Sequence, residues 1–170
     1  MWQRLLWAPR TSVEEVVDEY CHTWFGSQAA PLMAEAIFQL EENLEEIPDK
    51  PLTEKAGIGR YYQLVKQAGR RIPPIHMRRN WLWREYMQKA ALDQHIQLAV
   101  RQQTRLQQEI EQDIAQALEA GDTAQAMDDA LAALDALGES QEMVELREEA
   151  GRLGEESNTL FGVRSEGYFN

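Results

Sequence analysis

The run RRIPPIHMRRNWLWREYMQK, residues 70–89, gathers five arginines, two tryptophans and a tyrosine at the head of a helical pattern. Guanidinium forks match carboxylates and phosphates, and indole faces accept flat apolar or cationic surfaces. Arg79, Arg84, Trp81 and Tyr86 are therefore the candidate ligand-facing residues, for an anion or for a sugar stacked on an indole. The same residues admit a structural role. The tryptophans can pack beneath neighbouring acidic helices, and the arginines can pair with Glu41, Glu42, Glu45 or Glu46. For the tryptophans packing is the preferred role; for the arginines both roles stand.

No other group of residues carries chemistry unaided, and no catalytic residue, metal ligand or cofactor is assigned. His22, His76 and His95 are far apart and share no helix-face spacing, whereas zinc sites show paired ligands. Carboxylate pairs such as Glu14/Asp18 and Glu41/Glu45 are spaced as neighbours on a solvated helix face. Glycoside hydrolysis needs two carboxyls facing each other across a sugar. Gly57-Ile58-Gly59 has no strand before it and no Lys-Ser/Thr after it, so it reads as a turn rather than a phosphate loop. No serine lies in a Gly-x-Ser-x-Gly elbow. Cys21 is the only cysteine, which excludes an internal disulfide and suits a small packed residue.

The candidate cluster lies in a basic middle between acidic flanks. Residues 12–49 hold ten acids and no Lys or Arg; residues 50–105 hold twelve basic residues and three acids; residues 106–170 hold three basic residues and sixteen acids. Antiparallel helices would pair these blocks internally, which is the default expectation, while an anionic ligand is the other outlet. A net charge of −12 argues against nucleic acid, whose phosphates reward a positive surface. No apolar run is long enough to span a bilayer. MWQRLLWAPR lacks a signal-peptide core and cleavage site, so a non-secreted form is expected, with location otherwise open.

The elements that must position these residues are helices. Thr11 and Glu14 have capping-box spacing, Val13, Val16, Val17, Tyr20 and Trp24 follow as an inward row, and Gly26 supplies a stop. A second helix starts near Ala29 and turns Met33, Ile37, Leu40 and Leu44 inward before EIPDKP ends it. A short helix after Gly59 is followed by RRIPPIH, which reads as extended because each residue before a proline leaves the helical region. From Asn80 to Gly121 the row Leu92, Ile96, Ala99, Gln103, Leu106, Ile110, Ile114 and Ala117 predicts one rod of about 60 Å. Two shorter helices follow. One begins at Asp122 with Met127, Leu131 and Leu134 inward; the other runs from Ser140 to Gly154, before a looped tail. No strand pattern and no repeat of about 34 to 45 residues is present. The expected architecture is all-α: one domain over residues 1–170, a bundle of five or six helices around one long central helix.

RLLWAPRTSVEEVVDEYCHTWFGSQAAPLM, residues 4–33, resembles the segment after the barrel in bacterial alpha-glucuronidase-like and hexosaminidase-like glycoside hydrolases. The matching residues are Leu6, Trp7, Pro9, Val13, Val17, Asp18, Tyr20, Phe25, Gly26, Ala29, Ala30 and Met33. WLWREYMQKA and LFGVRSEGYFN are similar, more loosely, to a later helix and to the closing segment of those proteins. Where the family reads Tyr-Tyr-Gly-Pro-Ala-Ala, this chain has Trp24-Phe25-Gly26-Ser27-Gln28-Ala29-Ala30. The resemblance implies a C-terminal helical region that packs against a preceding (β/α)₈ barrel and walls one side of its oligosaccharide site. It also implies that the catalytic carboxylates belong to the barrel, so no hydrolase activity is expected of this chain alone. The apolar start and the ending Phe169-Asn170 fit a piece of a larger protein. The alternative expectation is a free-standing acidic helical interaction module that binds a partner through the apolar seam of the long helix.

Overall fold

The computed structural model describes residues 10–45, 56–121 and 123–161, which are mostly helical with no strand among them. In chain order the helices are α1 (Val13–Phe25), α2 (Ala30–Glu45), α3 (Ala56–Gly69), the single turn α4 (Pro74–Met77), α5 (Trp81–Ala120), α6 (Thr123–Asp135) and α7 (Gln141–Phe161). The all-α class and the one long helix are as expected. At 40 residues α5 is about 60 Å long. No described helix is long and apolar enough to cross a membrane.

Local chemistry explains most of the boundaries. The capping box at α1 is Ser12 with Glu15, one residue later than the Thr11/Glu14 pair expected: Ser12 Oγ accepts the Glu15 N–H at 3.2 Å, and Glu15 returns the bond to the Ser12 N–H at 3.3 Å. Both pairs have the same spacing, so spacing cannot separate them. Val13 is the first residue of the helix and is exposed rather than in the core row. Val16 and Val17 are buried and Tyr20 packs against the core, as expected; Cys21 and Phe25 complete the inward face, and Trp24 points outward. Neighbours on a helix diverge by about 100°, and at the end of α1 it is Phe25 that faces the core. Gly26 ends the helix at φ 82°, ψ 162°, a positive φ that a side chain would oppose.

On α2 Met33 is buried and Ile37 and Leu40 pack against the core, as expected; Ala36, Gln39 and Asn43 are also buried, and Leu44 is exposed, contrary to expectation. The reason is α3, which starts at Ala56 and so takes both Gly57 and Gly59 into the helix. A Cβ on Gly57 would collide with Asn43 and stand 2.6 Å from Gln39 Nε2, so the missing side chain sets the distance between α2 and α3. This also removes the loop reading of Gly57-Ile58-Gly59. Ile58, Tyr61, Leu64, Val65 and Ala68 then enter the core. In RRIPPIH only the first proline stays extended, with Pro73 at φ −58°, ψ 140°. Pro74 occupies the first position of α4, where its fixed φ is suited and its missing N–H costs nothing.

Asn80 caps α5, its Oδ1 accepting the Trp83 N–H at 3.0 Å, and Gly121 closes it in the left-handed conformation. Ser140 caps α7, which runs through Gly154 instead of stopping there. Gly154 lies against Gln88 and serves helix contact, not termination. The helical part of the tail reaches Phe161; the rest lies outside the described residues. α5 runs antiparallel to α3 and to α7: Gly69 meets Trp83 while Gly59 meets Gln94, and Arg84 meets Glu156 while His95 meets Met143. α6 departs most from expectation. It buries Ala130 and exposes Met127, Leu131 and Leu134.

The charge blocks do pair across helices, through Arg60–Glu35 and Arg84–Glu156. Glu156, not an α2 glutamate, is the partner of Arg84; the side chains of Glu45 and Glu46 lie outside the described residues.

Candidate functional site

The N-terminus of α5 brings the end of α1 and the α4 segment together around one polar knot. Asn80 is buried, and its Nδ2 donates to the Trp24 carbonyl at 2.8 Å while its Oδ1 caps α5. One amide thus fixes the α1–α2 turn against the start of the long helix. Between these two walls lies an open cleft of about 800 Å³. The first wall is the turn Thr23 to Gln28; the second runs from Arg71 through α4 to Trp81.

The cleft is cationic. Arg71, His76, Arg78 and Arg79 line it, and no Asp or Glu does among the described residues. A guanidinium stays charged at any physiological pH, so at least three positive charges face one opening on a chain of net charge −12. No carboxylate among the described residues pairs with Arg71, Arg78 or Arg79. The helix dipoles do not decide the sign: α1 ends at the cleft and α5 begins there, so their terminal partial charges oppose. The formal charges do. Two indoles complete the walls, Trp24 at 49% and Trp81 at 37% exposure, one from each side. Guanidinium groups beside two partly exposed indoles can hold a planar or ring-shaped anion by charge-assisted hydrogen bonds and stacking.

Of the four residues expected to face a ligand, Arg79 and Trp81 line this cleft, and Arg84 and Tyr86 do not. Arg84 is 8% exposed. Its Nε meets Glu156 Oε2 at 2.9 Å, and its Nη1 donates to the Met77 and Asn80 carbonyls at 3.0 and 3.2 Å. It staples α7 and the end of α4 to α5 from behind the cleft. Burial opposes ionisation of Glu156, but hydrogen bonds from Arg84 and Arg152 outweigh it and hold the carboxyl below its ordinary value. Tyr86 is half-buried, with its ring edge-on to Phe25 at 6.1 Å and its hydroxyl bonded to Tyr20. Burial raises the Tyr86 phenol and keeps it neutral. Trp83 likewise points inward, donating from Nε1 to the Val65 carbonyl at 3.1 Å.

Periodicity contains this division. Asn80, Arg84, Met87 and Ala91 step by 4, 3 and 4 along the buried face of α5, while Trp81, Glu85 and Lys89 step by 4 along the open one. Trp24, Arg71 and His76 were not singled out from sequence, because they reach the cleft only through the fold. Elsewhere, His22 bonds the Asp18 carbonyl and His95 that of Met143, and no described group of three His, Cys, Asp or Glu is placed to hold a metal. No family model matches the sequence, and neither a curated protein nor a solved structure matches it.

Proposed function

We propose that this chain is a non-catalytic helical module that holds an acidic sugar in the cleft between Trp24 and Trp81, as the C-terminal accessory region of a glycoside-hydrolase-like protein with a preceding barrel. The observation that carries the reading is the cleft itself: Arg71, Arg78 and Arg79 around one opening, no lining carboxylate, and an indole on either wall. A uronate residue offers the complementary parts, a carboxylate for a guanidinium fork and a pyranose face for an indole. The sequence resemblance touches the same region, because two of its matching residues, Phe25 and Gly26, line one wall of the cleft. Binding, not hydrolysis, is proposed, since hydrolysis requires two facing carboxyls and none line the cleft among the described residues.

The test is a tryptophan-fluorescence titration with a glucuronate-containing oligosaccharide and with its neutral counterpart. A saturable change with the acidic sugar at about millimolar concentration is expected, weakened about tenfold in Arg79→Ala. No change with the acidic sugar, or equal responses to both sugars, would rule the reading out.

A further inference from the structure

A second surface lies well away from the cleft. Trp81 and Leu106 are 25 residues apart on α5, about 38 Å along the helix. From Leu106 to Glu139 the sequence holds nine acids and no Lys, Arg or His. The same stretch exposes large apolar side chains. α6 turns Ala130 inward and leaves Met127, Leu131 and Leu134 facing out at helical 4 and 3 spacing, with Leu137 beyond them. An apolar row on an otherwise acidic surface marks an interaction site.

The row runs into a groove of about 680 Å³ between α5 and the α6–α7 connection. Leu106, Ile110, Leu134, Leu137 and Met143 supply its apolar lining, and Glu111 and Glu139 are its acids. The groove is held in shape: Gln102 Nε2 donates to the Gly138 carbonyl at 2.8 Å, and Arg147 grips Glu139. Its α5 wall extends from Ala99 to Glu111, about 18 Å, the length of about three helical turns.

We infer that this groove binds a basic amphipathic helix of about three turns from a protein partner. The apolar lining fits a Leu-type face, and Glu111 with the acids of α6 selects Lys or Arg at its edges, Arg105 and Arg147 being paired with Glu109 and Glu139. A second copy of this chain is the poorer occupant, because it would bring nine further acids against nine.

The experiment uses the whole chain and a labelled peptide of about 14 Leu, Lys and Ala residues, with leucines at i, i+3, i+4 and i+7. A peptide of the same composition in scrambled order is the control, and both are followed by fluorescence anisotropy. Saturable binding of the patterned peptide is expected, about tenfold tighter than the control and weakened about fivefold between about 50 and 300 mM salt. Leu134→Gln with Leu137→Gln, at side chains 51% and 43% exposed, should keep the fold by circular dichroism and lose about tenfold in affinity. Glu111→Gln should lose two- to threefold or so by removing one charge near the groove. Equal binding of the two peptides, unchanged binding by the double variant, or no saturable binding would overturn the inference. So would a concentration-dependent dimer that the double variant dissolves, which would assign the face to a second copy.

Discussion

Replacing Arg84 tests whether the cleft rests on a buried staple. Arg84→Met keeps the length and apolar stem of the side chain and removes its charge. The residue is 8% exposed and makes a 2.9 Å bond to Glu156 besides those to the Met77 and Asn80 carbonyls. Breaking a buried ion pair costs about 3–5 kcal/mol when the remaining charge is stranded. Here it is not stranded, since Glu156 is 39% exposed and keeps Arg152. The two carbonyls also keep backbone donors, Asn80 N–H on Met77 and Arg84 N–H on Asn80. The loss should therefore be about 2 kcal/mol, near that of one charge-assisted hydrogen bond. With a typical urea dependence of about 1–3 kcal/mol per molar, the midpoint should fall by about 1 M. Arg84→Lys, which keeps the charge and loses the fork, should lose about half as much. The pH dependence has a definite sign. The Glu156 carboxyl lies below its ordinary 4.5, so its stabilising contribution is present above that value and fades as pH falls through the lowered one. The gap between wild type and Arg84→Met should narrow in the same window. Urea unfolding followed by circular dichroism at several pH values measures all of this. An Arg84→Met variant within about 0.5 kcal/mol of wild type at neutral pH, or a gap that widens on acidification, would refute the reasoning.

Glycines and the single cysteine give three further outcomes. Gly57→Ala should destabilise by about 1–3 kcal/mol, because its Cβ would drive into Asn43 and Gln39 and part α2 from α3. Gly151→Ala should do the opposite in the same urea assay: nothing lies within 4 Å of its Cβ, so relief of a mid-helix glycine should stabilise by about 0.5–1 kcal/mol. Cys21 is fully buried, and burial followed by the nearby Asp18 charge pushes its thiol up to about 12. It should resist a thiol reagent in the native protein and react fully in urea; fast native labelling would contradict its place in the core.

Where one helical period sufficed, the sequence was legible. The 40-residue rod, its Asn80 cap and its Gly121 stop all follow from local chemistry that acts within a turn of the helix. Choices decided between helices were less legible. Gly57 and Gly154 look like breakers in isolation, and both are contact points that let a neighbouring side chain approach. Met127, Leu131 and Leu134 form a correct apolar row, but alanine packs α6 against α5 and the row faces out. The cleft was half legible. Arg79 and Trp81 follow from composition, whereas Arg84 and Tyr86 belong to the buried face that Met87 and Ala91 define. Trp24 and Arg71 join the cleft only because Asn80 draws the α1 terminus onto α5.

The most direct test of the proposed function separates charge from shape in the ligand. Calorimetric titration would compare a glucuronate oligosaccharide with its methyl ester, which keeps the ring and removes the carboxylate charge. Binding of the acid, with a Kd that weakens about tenfold or more for the ester and equally for Arg78→Gln with Arg79→Gln, is the expected result. Equal affinity for acid and ester, or an unchanged Kd in the double variant, would contradict an acidic-sugar site between Trp24 and Trp81.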